Sequence, residues 1–291
     1  MVHSSLTFDV VIPAYNATST IVEQLEAVRR NDQAALGEVL VVDSLSTDTT
    51  ADLVTDYVTR WSKVRLVRAP HPGANAARNC GIRAGGSDLI LLCDADDVVA
   101  DDWASNLVHA LSEYELVRGR YSLELLNDSD TIVARGSVGS THPPAPGSVI
   151  DGLGGNCGFR RTAWDQLGGL SENHTGSDDV EFFWRAALEG MRVGYADDAI
   201  VNYRLRPAYK DLYRQQKSWA ANRALLYKEF GATGSIQRRS IAKALRQLAW
   251  LVIRLPSSWS KDPSERGAWT RAAASAVGHL EGSARHRVWF P

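Results

Sequence analysis

The chain has 291 residues, of which 44% are hydrophobic and 23% are charged, and its formal net charge is -2. These proportions are typical of a globular protein with a substantial core, and they exclude a disordered or collagen-like chain. The near-neutral net charge also disfavours nucleic acid as a partner. The three cysteines form no CxxC pair, so neither a disulfide framework nor a structural zinc site is predicted.

Charge is distributed unevenly along the sequence. Residues 201–291 contain 17 Lys and Arg but only five Asp and Glu, whereas the first 200 residues contain 15 and 29 respectively. An acidic body suits a metal or sugar site, and a basic C-terminal region suits phosphates or an anionic membrane surface. Because the first residues lack the pattern of a signal peptide, we expect a cytoplasmic protein, with a peripheral position on the inner face of a membrane as an option.

The first 93 residues alternate apolar strands with periodic helices. Short apolar runs predict strands over 8–13, 38–42, 64–67 and 89–93. The segments between them predict three helices, which begin near residues 21, 50 and 74. This alternation indicates an α/β fold, in which a mostly parallel, Rossmann-like sheet is flanked by helices.

The rest of the chain is predicted to be more varied. Residues 114–138 are expected to be extended with a turn at Asn127–Asp128, and the Gly- and Pro-rich residues 139–155 are expected to form a mobile loop. Other predicted elements are helices over 103–112, 162–167 and 178–188, a strand over 199–203, and helices over 209–230, 236–254 and 264–282. We therefore divide the chain into an α/β domain, residues 1–205, and a basic helical extension, residues 206–291.

Polar residues follow the predicted strands at their carboxyl ends. Pro13–Asn16 follow the first strand, Asp43 ends the second, and Asp94, Asp96 and Asp97 follow the fourth. Ligands of parallel α/β sheets bind at these ends, so we expect the residues to meet in one crevice. The Asp94-x-Asp96 pair suits Mg²⁺ or Mn²⁺, which prefer oxygen ligands and substrate phosphates. A helix cap or a solvated turn is the alternative interpretation of such a pair.

Two common nucleotide-binding motifs are excluded by the sequence. The turn after the first strand has no GxGxxG, and no GxxxxGK[ST] loop occurs in the chain. A hydride-transfer dinucleotide site and a P-loop are therefore not expected. The remaining candidate ligand is a nucleotide that is held by side chains and backbone, with a metal ion on its phosphates.

Six segments occur in an informative order: VVIPAYNA (10–17), VVDSLSTDTT (41–50), GANAARNCGI (73–82), LLCDADD (91–97), FRRTAWDQLGGLSE (159–172) and SDDVEFFWRA (177–186). Together they resemble the family 2 glycosyltransferases of the GT-A fold, over about residues 8–205. The resemblance implies transfer of a sugar from a nucleotide-sugar donor, first of all a UDP-sugar, to a glycan or lipid-linked acceptor, with inversion. It also implies a divalent metal cofactor, Mn²⁺ or Mg²⁺.

The resemblance assigns donor-side roles to residues in the first four motifs. The nucleotide-binding positions are Pro13, Ala14, Tyr15, Asp43, Arg78 and Asp94. Asp94 and Asp96 match the family's DXD motif and are assigned to the metal, with Asp96 as its more direct ligand. The residue after Asp43 is Ser44, where the family usually has a second acid, so the nucleotide base stays open.

The last two motifs supply the acceptor side. Asp178 and Asp179 match an acidic pair that opens a helix, and Asp179 is assigned as the catalytic base, because an acceptor hydroxyl needs a positioned carboxylate for its proton. Compensation of the helix dipole is the alternative explanation for both acids. Asn156, Trp184 and Arg185 are placed with Asp178 on the acceptor or sugar side. A core position is the competing interpretation for Trp184.

Other functions and another role for the C-terminal region remain open. A nucleotidyltransferase that makes nucleotide sugars shares the sheet and the acids, but it requires a glycine-rich basic loop where this chain has Pro13–Asn16. A non-catalytic nucleotide-sugar-binding protein would keep the donor and lack turnover. The basic amphipathic segment 236–254 suits either an anionic membrane or packing on the body.

Overall fold

The computed structural model describes residues 6–136, 141–144, 148, 150–174 and 176–290. In these ranges, the strands are β1 (Phe8–Ala14), β2 (Leu36–Asp43), β3 (Val64–Arg68), β4 (Leu89–Cys93), β5 (Val98–Val99), β6 (Leu116–Ser122), β7 (Asn156–Arg160) and β8 (Val193–Asn202). The helices are α1 (Ile21–Arg30), α2 (Thr50–Val58), α3 (Ala74–Ala84), α4 (Trp103–Ala110), α5 (Ser129–Arg135), α6 (Arg161–Leu167), α7 (Asp178–Leu188), α8 (Tyr209–Phe230), α9 (Ile241–Ile253) and α10 (Pro263–His286).

The eight strands form one mixed sheet in the order β3-β2-β1-β4-β7-β6-β8-β5. β1 pairs in parallel with β2 and β4, and β2 pairs in parallel with β3, as the alternating sequence pattern predicts. β7 runs antiparallel to both β4 and β6, while β6 and β8 are parallel. The predicted α/β fold is therefore confirmed, and the later strands make its sheet mixed.

The segment 114–138 differs from its predicted extended form. It contains β6 followed by α5, and Asp128 caps that helix, because its carboxylate accepts a hydrogen bond from Thr131 N at 2.7 Å. Aspartate favours both turns and helix N-caps, which explains why the pattern suggested a turn. β7 is absent from the predicted elements, since its sequence NCGFR carries no alternation. Part of the predicted loop 139–155 lies outside the described residues.

Close packing of α3 on the sheet brings its first turns to the strand ends. A Cβ atom at Gly81 would lie 2.6 Å from Val11 Cγ1 and 2.8 Å from Val42 Cγ2, so only glycine permits this approach. α3 begins just after the carboxyl end of β3. Arg78, one turn before Gly81, is therefore carried on a helix that lies against the strands which end at the candidate site.

The chain forms two compact units. The larger comprises Met1–Ser122, Ser140–Glu172 and Asp178–Tyr203, and the smaller comprises Leu123–Gly139, Asn173–Ser177 and Arg204–Pro291. The smaller unit thus contains the C-terminal helices and two earlier segments of the chain. The domain boundary that we predicted after residue 205 stays a prediction. In it, Gly278 and Gly282 of α10 face the backbone of α8, where a Cβ would lie 2.3 Å from Lys217 O and 2.2 Å from Ala221 O. Among the described helices, none combines the length and apolar composition needed to cross a bilayer.

Asp9 is a buried polar anchor near the amino end of β1. Its carboxylate accepts hydrogen bonds from Glu38 N at 3.0 Å, from Gly86 N at 3.0 Å, and from the Ser87 hydroxyl at 2.7 Å. Only 1% of the residue is exposed. Its contacts join β1 to β2 and to the segment that enters β4, far from the carboxyl ends of the strands.

We expect Asp9→Ala to lower the free energy of unfolding by about 3 kcal/mol, because buried donors lose their shared acceptor. Urea unfolding followed by circular dichroism measures the change. Asp165→Ala, at an exposed position of α6, is the control and should change it by less than about 0.5 kcal/mol. Equal losses in the two variants would contradict the anchoring role.

Candidate active site

The ends of β1 and β2 bring four predicted donor-side residues together. Ala14 lies beside Asp43 in the parallel register, and Pro13 precedes it at the same edge. Asp43 is buried, and its Oδ1 atom accepts a hydrogen bond from Ser46 N at 3.1 Å. The Tyr15 side chain is 61% exposed. The first two strands thus end side by side, with a buried carboxylate at one end and an exposed aromatic ring next to it.

The loops after these two strands have strained backbone conformations. Asn16 and Leu45 have φ angles of +49° and +62°, in the left-handed region that disfavours a leucine side chain. Asn16 N donates to the Ser46 hydroxyl at 3.0 Å, and Thr47 N donates to Asn16 Oδ1 at 2.9 Å. These hydrogen bonds join the two loops and maintain the strain. Such strain is common where a ligand is bound.

An acidic cluster, Asp94, Asp96 and Asp97, follows β4. Carboxylate oxygens of the three residues lie within 4.8 Å of one another, and Asp94 is half-buried, Asp96 exposed and Asp97 buried. Gln24 of α1 fixes the loop, since it donates to Asp94 O at 2.9 Å and accepts from Val99 N at 3.1 Å. Hard oxygen donors at this spacing fit Mg²⁺ or Mn²⁺. Asp97 joins the predicted pair as a third potential ligand.

Arg78 lies directly beside the acidic cluster. Its Nη2 atom is 2.8 Å from Asp94 Oδ1, and Nη1 donates to Asn75 Oδ1 at 3.2 Å. The Arg78 side chain is buried, whereas that of Asp94 is partly exposed. A guanidinium at this distance offsets part of the cluster's negative charge. Asp96 is the most exposed residue of the cluster, and its role as the more direct metal ligand stays a prediction.

Asp179 is the second residue of α7 and is half-buried. Its Oδ2 atom accepts a hydrogen bond from Gly154 N at 2.8 Å, and Oδ1 accepts one from Val180 N at 2.8 Å. Two backbone donors therefore hold this carboxylate in one orientation. The side chain of Asp178 lies outside the described part of the structure, so its place on the acceptor side stays a prediction.

A glycine segment, residues 152–155, connects Asp179 to the acidic cluster. A Cβ atom at Gly154 would lie 2.8 Å from Arg78 Nη2, and one at Gly155 would lie 2.6 Å from Asp94 Oδ2. Gly154 also donates its N–H to Asp179. The same short segment thus touches the predicted base on one side and the Arg78–Asp94 pair on the other. The structure brings these predicted residues together around the glycine segment.

Tyr121 of β6 is a site residue that the sequence patterns do not identify. Its hydroxyl lies 2.8 Å from the Cβ position of Gly155, and its ring stacks on Tyr203 with centroids 4.5 Å apart. Burial raises the pKa of Tyr121 well above its usual value, and the negative charges of Asp94 and Asp179 raise it further. The hydroxyl therefore stays protonated and is able to donate a hydrogen bond. A tyrosine on an internal strand carries no motif, which explains the omission.

Asn156, which we predicted on the acceptor or sugar side, forms hydrogen bonds with other elements of the larger unit. The residue is completely buried. Its Oδ1 atom accepts from Trp103 Nε1 at 2.9 Å, and its Nδ2 atom donates to Arg120 O at 2.9 Å and Ala199 O at 3.0 Å. The amide therefore joins β7 to α4, β6 and the β8 strand. Because its amide is engaged in these contacts, we leave Asn156 out of the proposed acceptor site.

Trp184 and Arg185 are also held by the larger unit itself. Trp184 is buried and donates its indole N–H to Asp151 Oδ1 at 2.9 Å, which favours the core position over stacking on an acceptor. Arg185 pairs with both carboxylate oxygens of Glu181, at 2.7 and 2.9 Å, and donates to Gly169 O at 2.9 Å. Its guanidinium thus joins α7 to the turn after α6, and we leave both residues out of the proposed acceptor site.

Comparisons with known proteins agree with this arrangement. The family described as Glycosyl transferase family 2 matches residues 9–167, which is more than half of the chain. A second description, Glycosyl transferase family group 2, matches residues 89–261. The chain therefore belongs to glycosyl transferase family 2.

Individual relatives are distant. Succinoglycan biosynthesis protein ExoA of Rhizobium meliloti is 25% identical over 237 residues, which cover 74% of this chain and 68% of ExoA. With several other curated relatives, the match spans only 28% to 38% of the relative's length.

Two solved structures share the fold. Mannosyltransferase PcManGT from Pyrobaculum calidifontis, in complex with GDP-Man and Mn²⁺, is 19% identical with a TM-score of 0.68, over 96% of this chain and 88% of that one. S. aureus TarS 1-349 in complex with UDP is 17% identical with a TM-score of 0.56, over 98% and 93%. At these identities the likeness establishes the GT-A fold.

We expect Gly155→Ala to weaken Mn²⁺ binding about tenfold, which is about 1.4 kcal/mol, because the new methyl group would displace the Asp94 carboxylate or the Tyr121 hydroxyl. Isothermal titration with MnCl₂ measures the affinity. Gly86→Ala is the matched control, because a Cβ atom there meets nothing within 4 Å. Unchanged Mn²⁺ affinity in Gly155→Ala would remove the glycine segment from the ion site.

Proposed function

We propose that this protein is an inverting, metal-dependent glycosyltransferase, which moves a sugar from a nucleoside-diphosphate sugar to a hydroxyl group. The observation that carries the proposal is that Asp179 and the Arg78–Asp94 pair contact the same glycine segment. A metal-assisted transfer needs an acid cluster for the leaving group and a separate carboxylate for the nucleophile. Membership of glycosyl transferase family 2 supports the reaction class.

The donor nucleotide is proposed to lie along the ends of β1 and β2. There the exposed ring of Tyr15 would contact the base, and the buried Asp43 would support the neighbouring backbone. The Ser44 hydroxyl, which replaces the family's usual second acid, accepts a hydrogen bond from Gly73 N at 3.3 Å. PcManGT is described with GDP-Man and TarS with UDP, so the fold takes either base. A UDP-sugar is our first choice for this chain.

A divalent cation, Mn²⁺ or Mg²⁺, is proposed to be held by the acidic cluster, chiefly by Asp96. When bound, such an ion stabilises the negative charge of a departing diphosphate. The chain's own residues prepare the place: Arg78 offsets the charge of Asp94, and Gln24 fixes the backbone of the loop. The protonated hydroxyl of Tyr121 is proposed to donate a hydrogen bond to the donor.

Asp179 is proposed to act as the catalytic base. The acceptor oxygen attacks the anomeric carbon while the bond from that carbon to the diphosphate oxygen breaks. The hydroxyl proton passes to the Asp179 carboxylate, and the configuration inverts in this single displacement. The hydrogen bonds from Gly154 N and Val180 N support the role, because they hold the half-buried carboxylate in one orientation.

The acceptor is proposed to be a glycan or a lipid-linked glycan. ExoA, which covers most of this chain, is described as a succinoglycan biosynthesis protein, and this supports a saccharide acceptor. The nucleotidyltransferase alternative is disfavoured, because the turn at Pro13–Asn16 lacks the glycine-rich basic loop that it requires. A non-catalytic sugar-binding protein predicts donor binding without turnover, which the experiments below distinguish.

We expect a nucleotide sugar to raise the thermal stability of the protein, and Mn²⁺ to increase the effect. Stabilisation reaches about 2.7 kcal/mol when the ligand is at one hundred times its Kd. The measurement is a thermal-shift screen of UDP-, GDP-, dTDP- and CDP-sugars, with and without Mn²⁺. Asp96→Asn should remove the Mn²⁺-dependent part, whereas Asp52→Asn, on the exposed side of α2, should not. The absence of any shift would contradict the donor proposal.

We expect Asp179→Asn to reduce turnover by at least about a hundredfold, while the donor Kd changes by less than about threefold. Asparagine keeps an oxygen for the Gly154 N–H but cannot accept the proton. Release of nucleoside diphosphate from the identified donor measures turnover, and calorimetry measures donor binding. Asp52→Asn again serves as the control. Wild-type turnover in Asp179→Asn would show that another group is the base.

A further inference from the structure

Helix α9 carries an apolar face that the chain leaves exposed. None of the residues of α9 is buried. Ile241, Leu245, Leu248 and Val252 are 56%, 60%, 46% and 75% exposed. At about 100° per residue these four side chains fall within an arc of about 60°, so they form one stripe along the helix. We call these four residues the apolar stripe.

The apolar surface continues past the end of α9. A 3-10 helix follows at Leu255–Trp259, and the side chains of both terminal residues are exposed. Trp250 and Ile253 of α9 are exposed as well. Trp250 and Ile253 lie about 170° and 110° around the helix from the centre of the stripe, so they are not part of it. Single exposed apolar residues are ordinary, but four on one face of α9, followed in the chain by Leu255 and Trp259, mark a binding surface.

The same segment is strongly basic. Residues 236–261 contain no Asp or Glu and six basic residues: Arg238, Arg239, Lys243, Arg246, Arg254 and Lys261. On α9, Lys243 and Arg246 lie about 130° to 170° around the helix from the centre of the apolar stripe. The helix is about 10 Å across, comparable to the screening length at physiological salt, so these charges still act on a surface in contact with the stripe.

Contacts with α10 account for a different side of α9. Gln247 donates to Ala272 O at 2.6 Å, and Trp269 donates its indole N–H to Leu251 O at 3.1 Å. Gln247 and Leu251 lie about 130° and 90° around the helix from the centre of the apolar stripe. Packing within the smaller unit therefore fixes the rotation of α9 and leaves the stripe uncovered.

We propose that α9 and the following 3-10 helix bind flat on an anionic lipid membrane, with the apolar stripe at the boundary between headgroups and acyl chains. An apolar stripe opposite a basic face, followed in the chain by an exposed tryptophan, Trp259, is the pattern of an interfacial helix. With 13 residues, α9 is about 20 Å long, too short for a hydrocarbon core of about 30 Å. A second copy is disfavoured, because it would oppose six basic residues to six others.

Vesicle sedimentation of the full chain tests this inference without donor or acceptor, so its failure does not affect the proposed function. We expect binding to vesicles of phosphatidylcholine with 30% phosphatidylglycerol, none to phosphatidylcholine alone, and weaker binding as NaCl rises. The double variant Leu248→Ser/Val252→Ser should lower the partition coefficient at least about tenfold. Leu125→Ser/Leu188→Ser, at two exposed leucines outside the segment, should bind as the wild type does.

Charge is tested by a second pair of variants. Lys243→Glu/Arg246→Glu should lower binding at least about tenfold, whereas Arg60→Glu/Lys228→Glu, with the same change in net charge at exposed positions, should not. Turnover of a freely diffusing donor should be unchanged in all four variants. No binding, equal binding to both vesicles, or equal losses in the controls would overturn the proposal. Self-association that Leu248→Ser/Val252→Ser abolishes would assign the stripe to a second copy instead.

Discussion

Repulsion between carboxylates at the end of β4 is the constraint on which the site depends. The three acids have oxygens within 4.8 Å of one another, and a neighbouring positive charge lowers the energy of their mutual repulsion. Arg78 supplies one fixed positive charge at 2.8 Å from Asp94. It reaches that position because Gly81 lets α3 lie directly on β1 and β2. The packing of a glycine in the core thus places the positive charge that offsets part of the cluster's negative charge.

The glycine segment lies between two acids, Asp94 and Asp179, for which we propose different roles. Four distant parts of the chain converge on it, and they contribute Arg78, Asp94, Tyr121 and Asp179. Asp179 accepts hydrogen bonds from two backbone N–H groups, and Asp94 is paired with a guanidinium. Acids of similar chemistry therefore have different environments, and this difference is what proton transfer and ion binding require.

Local patterns predict the parallel strands and the crevice, because each depends on a few adjacent residues, such as the aspartates after β4. Long-range contacts are what the sequence does not reveal. Asn156 sits beside the glycine segment in sequence, yet its amide is used by three other elements. Tyr121 reaches the site only because β6 joins the sheet beside β7. Asp128 shows that local patterns are also ambiguous, since aspartate is common both in turns and at the N-terminal cap of a helix.

The crowding around the glycine segment has a consequence for how this protein is able to evolve. A methyl group at Gly152 would lie 2.3 Å from Asp179 O, one at Gly154 would meet Arg78, and one at Gly155 would meet Asp94. At each of these positions, contact with a different neighbouring residue therefore disfavours substitution of the glycine. New donor or acceptor preferences have to arise at the periphery instead, where Tyr15 is open to solvent and substitutions carry little cost in stability.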